Sequence, residues 1–199
     1  MYARNMGNKA MASFPAPVST VQARAPSGSS AQDPCYFRKV LGHHPTGVVM
    51  VSTTDGGTPA GMLVSSFSAV SLKPPLVSFL ADCSSHTQAC IQRAGRFCAN
   101  VLAADQEALS RKLARHRARR FDDVEWTPSA AGNPIISGCI AWIDCSIVDV
   151  VRIGDHNLIV GDVHTLCVSS DKTPLLFFRG QYGDYSPIGI PPERPLGDL

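Results

Sequence analysis

Most of the side chains able to do chemistry at close quarters lie in short runs. Residues 64–75, VSSFSAVSLKPP, set Ser65, Ser66, Ser68 and Ser71 on what the spacing of apolar side chains predicts to be extended chain, which Pro74 and Pro75 then end. Hydroxyls beside a proline-terminated strand end donate hydrogen bonds to a polar ligand without a basic cage. They equally suit turn and capping chemistry, and the residues alone leave both readings open. Residues 111–120, RKLARHRARR, carry six Arg or Lys at the end of a predicted helix. That run is either a solvated face favoured by the helix dipole or a phosphate-binding patch for a nucleic acid or a dinucleotide. No aromatic residue is interleaved there to stack bases, which counts against single-stranded nucleic acid. The six histidines form no recognisable metal-ligand pattern, and no metal is expected. The Rossmann glycine fingerprint, the P-loop, the H-E-x-x-H zinc helix and the G-x-S-x-G elbow are all absent.

The elements that must position these residues are well punctuated. PCYFRKVLGHH, from Pro34, reads as a short helix ended by Pro45, and GVVMVSTT as a β-branched strand. DGG at 55–57 is a hairpin turn, since adjacent glycines admit the positive backbone angles it needs, and the return strand covers 58–65. Pro74 and Pro75 confine their position to a strand end or sheet edge, after which LVSFLA resumes as a buried strand. SHTQACIQRAG is a helix with Ala89, Cys90 and Ile91 near one face and Gly95 as its stop; FCANVLA is a strand; DQEALSRKLARHR is a helix with Asp105 as N-cap. Three strands are expected at 138–151, 156–164 and from 165, with RIGDHN as the first turn between them, and PLLFFRGQY is the last strand. Hairpin-linked strands with two or three interspersed helices predict a mainly β (α+β) fold, an antiparallel barrel with helices packed outside.

With 199 residues, 44% of them hydrophobic and 17% charged, the chain has the make-up of one globular domain with tails, and no apolar run is long enough to cross a bilayer. A net charge of +2 argues for no polyanion partner, so neither nucleic acid nor membrane is expected. Seven cysteines, with no C-x-x-C pair and mostly inside apolar runs, read as small buried hydrophobes in a reducing compartment. The expected location is cytoplasmic. Residues 1–32, rich in Ala, Ser and Pro with no acidic side chain, predict a disordered extension whose composition also fits an organelle transit peptide. Residues 33–185 form the body, and 186–199 a proline-rich tail.

Six segments, in order, resemble the flavin reductase family, small NAD(P)H:flavin oxidoreductases with an FMN-binding split barrel that serve two-component monooxygenases. They are FRKVLGHHPTGVVMVST, GMLVSSFSAVSLKPPLVSF, SSHTQACIQRAGRFCANVL, GNPIISGCIAWIDCSIV, GDHNLIVGDV and PLLFFRGQYG, spanning residues 34 to about 185. The resemblance implies an antiparallel split β-barrel with peripheral helices. It implies hydride transfer from NADH or NADPH to FMN or FAD, a separate oxygenase component as partner, and a homodimer. Gly61, Met62 and Leu63 would pass along the flavin ring through backbone contacts, Ser65 and Ser66 would bond its polar edge or ribityl chain, and Leu80, Ala81 and Asp82 would contribute from the next strand. Ser85 and Thr87, at a helix N-terminus, would take the phosphate. Cys83 stands where related phosphate loops carry a lysine, which suits flavin bound as a substrate. His156 would face the ring and help place the nicotinamide, the catalytic assignment. Gly180, Gln181, Tyr182 and Gly183 would lie near the dinucleotide. Two rival readings are a flavin-dependent oxidase or oxygenase on a related barrel and a small nucleic-acid-binding barrel using residues 111–120.

Overall fold

The computed structural model describes residues 32–115 and 121–189. The chain divides between Phe37 and Arg38 into a short N-terminal unit and a second unit that holds every strand. Helix α1 (Pro34–Leu41) begins where the Asp33 carboxylate accepts from the Cys35 N–H at 2.9 Å, an N-cap bond.

The second unit is built on a seven-stranded antiparallel sheet. Its strands are β2 (Val49–Asp55), β3 (Thr58–Val64), β4 (Ser68–Leu72), β5 (Pro75–Asp82), β6 (Arg96–Val101), β9 (Ala141–Ile153) and β10 (His156–Val168). They run in the order β3-β2-β6-β9-β10-β5-β4. The β2–β3 turn is Gly56–Gly57, both at positive φ, as the sequence predicts. β3 and β4 are the two edges, joined by residues 65–67, and this is the seam of the split barrel that the sequence predicts. β4 lies against β5 no further than Ser68↔Ser78. Beyond it the Ser66 hydroxyl takes the place of a partner strand, accepting from the Leu80 N–H at 2.9 Å. The barrel interior gathers Val49, Val51, Phe79, Ile91, Phe97 and Ile159 among its fully or nearly buried side chains. Phe97 stands edge-on to Phe79, with ring centroids 5.1 Å apart.

A second core lies between the barrel and its outer elements, and collects Val48, Met50, Leu102, Leu113, Ile136 and Leu175. β2 is therefore buried on both faces, Val49 and Val51 on one and Met50 on the other, which explains its unbroken apolar sequence. Helix α2 (His86–Ala94) crosses over one end, starting from Ser85 and stopping at Gly95 in the left-handed conformation. Helix α3 (Glu107–Arg115) follows a single 3-10 turn, Ala104–Gln106. The hairpin β7 (Trp126–Pro128) and β8 (Pro134–Ile136) is tied to the barrel by buried polar side chains. Asn100 donates to Ser52 Oγ and accepts from the Ile136 N–H, and Ser52 donates to the Pro134 carbonyl at 2.6 Å. A small sheet, β1 (Thr46–Gly47), β11 (Leu176–Phe178) and β12 (Gln181–Gly183), completes the unit.

Four expectations need correction. The two strands expected at 156–164 and from 165 are one thirteen-residue strand, β10, whose register slips twice against β9; a bulge at 163–165 imitates a strand end. PLLFFRGQY is not one strand but the β11–β12 hairpin, turned at Arg179 and Gly180, both at positive φ. Asp105 does not cap α3. It lies inside the 3-10 turn and pairs with Lys172 at 2.5 Å, while the Gln106 side chain accepts from the Ala103 N–H at 3.0 Å. Cys90, Cys98, Cys139 and Cys145 are buried, but Cys35 and Cys167 are exposed and Cys83 is half-buried.

Candidate functional site

A cavity of about 1110 Å³ opens between β3, the start of α2 and the segment entering β7. On the strand side it is walled by Thr58 through Leu63, so Gly61, Met62 and Leu63 all line it. β3 is an edge strand, paired through its backbone on one side only. Gly61 is tightly held: a Cβ there would meet Met50 Cε at 2.6 Å, the Val51 carbonyl oxygen at 2.8 Å and Phe121 Cε2 at 3.2 Å. Phe121 also lines the cavity and stands edge-on to Trp126 of β7.

The opposite wall is the β5–α2 junction. Asp82, Ser84, Ser85 and Thr87 line the cavity there. Asp82 Oδ1 accepts from both the N–H and the hydroxyl of Ser84, at 2.7 and 2.6 Å, which turns the chain sharply into the helix. Ser85 caps α2 by accepting from the Gln88 N–H, so its hydroxyl hydrogen remains a donor. With nine residues of helix behind them, the first-turn N–H groups and two hydroxyls suit an anion.

Further along the same wall come His86, Cys90 and Arg93, four and three residues apart and therefore on one face of α2. The Arg93 Nε and Nη2 donate to Asp55 Oδ2 at 3.1 and 2.6 Å, and Nη2 lies 3.2 Å from Cys90 Sγ. That guanidinium holds the Asp55 carboxyl below its usual range, and the carboxylate in turn raises Arg93. Burial, reinforced by the hydrogen bond to Asp55, pushes the Cys90 thiol up, so it stays protonated and unreactive. Burial likewise raises Cys145 to about 12 and Cys98 further.

The remaining candidates lie around or away from this cavity. Leu80 is on the sheet's outer face, and the Ala81 side chain is in the barrel core, so Ala81 can offer a ligand only its backbone. Ser65 is exposed, and the Ser66 hydroxyl is engaged with Leu80. His156 pairs in the ladder directly with Asp82, at the cavity's rim. Its Nδ1 is 2.7 Å from Asp155 Oδ1, and that hydrogen bond lowers the Asp155 pKa. Gln181, Tyr182 and Gly183 line a separate hollow of about 350 Å³, with Gly180 in the preceding turn. The Tyr182 ring is covered by the Arg111 guanidinium, 4.9 Å from its centroid, and its hydroxyl accepts from Ser110.

Of the basic run, Arg111 pairs with Glu107 and Lys112 with Asp123; residues 116–120 lie outside the described residues. Among the described residues no cluster of His, Cys, Asp and Glu is placed to hold a metal, and no helix is long and apolar enough to cross a membrane. Asp55, Arg93 and Phe121 are among the cavity-lining residues that the sequence reading missed, as are Ser84, His86 and Cys90. The spacing of His86, Cys90 and Arg93 puts them on one face of α2 without saying what that face meets, and Phe121 enters only through tertiary folding.

Fold and cavity together define a split-barrel protein with an anion-suited helix start facing a close-packed strand wall. The chain belongs to the family described as flavin reductase like domain, whose pattern matches residues 41–186. It is 46% identical over 160 residues to a flavin reductase of Pseudomonas putida, covering 80% of this chain and 94% of that one. It is 41% identical over 168 residues to the reductase subunit of a flavin-dependent monooxygenase from Rhodococcus jostii, covering 84% of each. Among solved structures, nitrilotriacetate monooxygenase component B from Mycobacterium thermoresistibile superposes with a TM-score of 0.77 at 39% identity, over 84% of this chain and 95% of that one. The NADH:FAD oxidoreductase of Streptomyces globisporus, in complex with NAD and FAD fragments, gives 0.75 at 33% identity, over 79% and 96%.

Proposed function

We propose that this chain is an NAD(P)H-dependent flavin reductase that holds FMN or FAD in the large cavity and passes reduced flavin to a separate oxygenase component. The observation that carries the reading is the cavity walled by β3 and the start of α2, in a chain of this family. The relatives named as a flavin reductase, a monooxygenase reductase subunit and an NADH:FAD oxidoreductase support it.

The residues present fit a flavin. Its flat ring needs a smooth wall, its polar edge needs backbone donors and acceptors, and its phosphate needs an anion site. Gly61, Met62 and Leu63 supply the wall; Ser85, Thr87 and the α2 amides suit the phosphate. When bound, the flavin supplies hydride acceptance at N5 from the nicotinamide C4. The protein's own task is then to orient and to exclude water. Asp155 fixes the His156 ring through Nδ1, leaving Nε2 to address the pyridine nucleotide at the rim. No side chain acts as a nucleophile.

Two copies of the chain are proposed to pair over the outer face beside His156. Val151, Leu158 and Leu80 stand in one cross-strand row, and Ile153 is opposite His156 in the next. Val151 and Ile153 are 43% and 53% exposed and Leu80 is 37% exposed, an apolar strip that water would otherwise cover. We propose likewise that residues 33–185 form the working body, flanked by an extension at 1–32 and a tail at 186–199, and that the protein acts in the cytoplasm.

Steady-state oxidation of NADH and of NADPH, each crossed with riboflavin, FMN and FAD, tests the activity. Turnover that depends on added or bound flavin is expected. A protein that binds no flavin and oxidises neither nucleotide overturns the reading, and a monomer by light scattering removes the paired copy.

A further inference from the structure

The cavity lies just above the size range of pockets for drug-sized ligands. Pockets for drug-sized ligands run to about 300–1,000 Å³, and this one is about 1110 Å³. A mononucleotide has one phosphate, and the start of α2 supplies one anion site. From His86 to Arg93 the helix wall continues for about 10 Å, at 1.5 Å per residue. It ends at a second site of different chemistry.

That site has two parts, Arg93 and Asp55, and the ring of Phe121 lines the same cavity beside Gly61. The Arg93 side chain is 56% exposed on the cavity wall, with its plane fixed from behind by Asp55 Oδ2 and Cys90 Sγ. A guanidinium has five N–H donors, and these contacts use only those on Nε and Nη2, so the Nη1 pair lies outside them. A fork held in one orientation is preorganised for phosphate oxygens in a way that a lysine is not. The Asp55 carboxylate, 26% exposed and carried on the tight Gly56–Gly57 hairpin, is an acceptor suited to a ribose hydroxyl. Phe121 adds an aromatic ring to the same cavity, and such a ring stacks on a base. A solitary exposed Arg–Asp pair would be an ordinary surface ion pair, worth about 0–1 kcal/mol. This one instead lines a cavity in company with an aromatic ring and a separate anion site.

We propose that the Asp55–Arg93 end of the cavity is a subsite for the adenosine 5′-phosphate half of a dinucleotide, with Arg93 on its pyrophosphate. The proposal rests on the reading of the cavity as a flavin site. Two dinucleotides share this chemistry. FAD carries the adenosine half joined to the flavin's own phosphate, and NADH brings it with the nicotinamide.

The test compares the full-length wild-type chain with Arg93→Ala and Arg93→Lys. Dissociation constants for FMN and FAD are read from flavin fluorescence, the KM for NADH from steady-state turnover, and folding from thermal melts. If the subsite serves FAD, the wild type prefers FAD over FMN by at least tenfold, and that preference falls at least fivefold in Arg93→Ala. If it serves NADH, the flavin preference is kept while the KM for NADH rises at least fivefold. Either result supports the subsite and says which dinucleotide fills it. Arg93→Lys keeps the charge beside Asp55 but loses the fork; it is expected to move the same quantity, and is read alone should Arg93→Ala fail to fold. Unchanged preference and KM overturn the subsite. Equal weakening of FMN and FAD also overturns it, because that places Arg93 on the flavin's own phosphate. A wild type that binds neither flavin overturns the parent reading and takes the subsite with it.

Discussion

At the scale of single residues, two hydroxyls that look alike in the sequence stand in different surroundings. Ser66 accepts from the Leu80 N–H and holds the barrel seam, whereas Thr87 lines the cavity at the start of α2. Thr87→Ala is therefore expected to weaken flavin binding by about 1.5–3 kcal/mol, the cost of a hydrogen bond to a charged group. Ser66→Ala is expected to lower the urea midpoint, with a loss of about 1 kcal/mol. Equal effects of both on flavin affinity would show that the phosphate end is misplaced. His156→Ala should raise the KM for NADH more than that for flavin, and an equal rise in both would reduce His156 to a support of its turn. Asp55 has a folded pKa below its ordinary 3.8 because of Arg93. The stability it contributes is fully present above the unfolded value and is lost as pH falls through the folded one. Asp55→Asn should accordingly flatten the acid limb of a pH series of urea melts below about pH 4, and an unaltered limb would mean the pair contributes nothing.

At the scale of elements, the site depends on close approach of strands more than on any one side chain. Gly161 of β10 lies over Phe97: a Cβ there would meet Phe97 Cζ at 2.5 Å and Cε1 at 2.8 Å. Phe97 is fully buried and braced by Phe79, so it has little room to yield. Gly161→Ala should destabilise the barrel by about 1–3 kcal/mol, the cost of overpacking, with a lower Tm as the readout; an unchanged Tm would mean that the ring moves aside freely. The second register slip, between Val163 and Thr165, is the one that hides the continuity of β10 from its sequence. Helix α2 combines two periods: Gln88, Cys90 and Ile91 are buried, while His86, Cys90 and Arg93 present a second line to the cavity. Its apolar face was readable as core. The line toward the cavity was not, because nothing in a helical spacing says which neighbour it faces.

At the scale of the whole molecule, two cores share β2, one inside the barrel and one beneath the outer elements. Cysteines report on this division. Thiol labelling of the native protein should modify Cys35 and Cys167 quickly and Cys83 more slowly, while Cys90, Cys98, Cys139 and Cys145 react only on unfolding. Rapid native labelling of Cys98 or Cys145, whose thiols burial holds far from ionisation, would contradict the packing of the barrel.

Local rules determined much of this protein in advance: the Gly56–Gly57 hairpin, the proline-limited edge at β4, the glycine stop of α2 and the β-branched strands are each set by a residue's own backbone preferences. The wall of Gly61–Leu63 and the start of α2 were likewise within reach, since they fall on motifs that resemble a family. Tertiary structure alone brought Arg93 to Asp55 across 38 residues of sequence and set Phe121 beside Gly61. It also set the Arg111 guanidinium over the Tyr182 ring, 71 residues further along the chain. Contacts between distant segments depend on how the strands close and where their register slips, and no local preference of either partner encodes that.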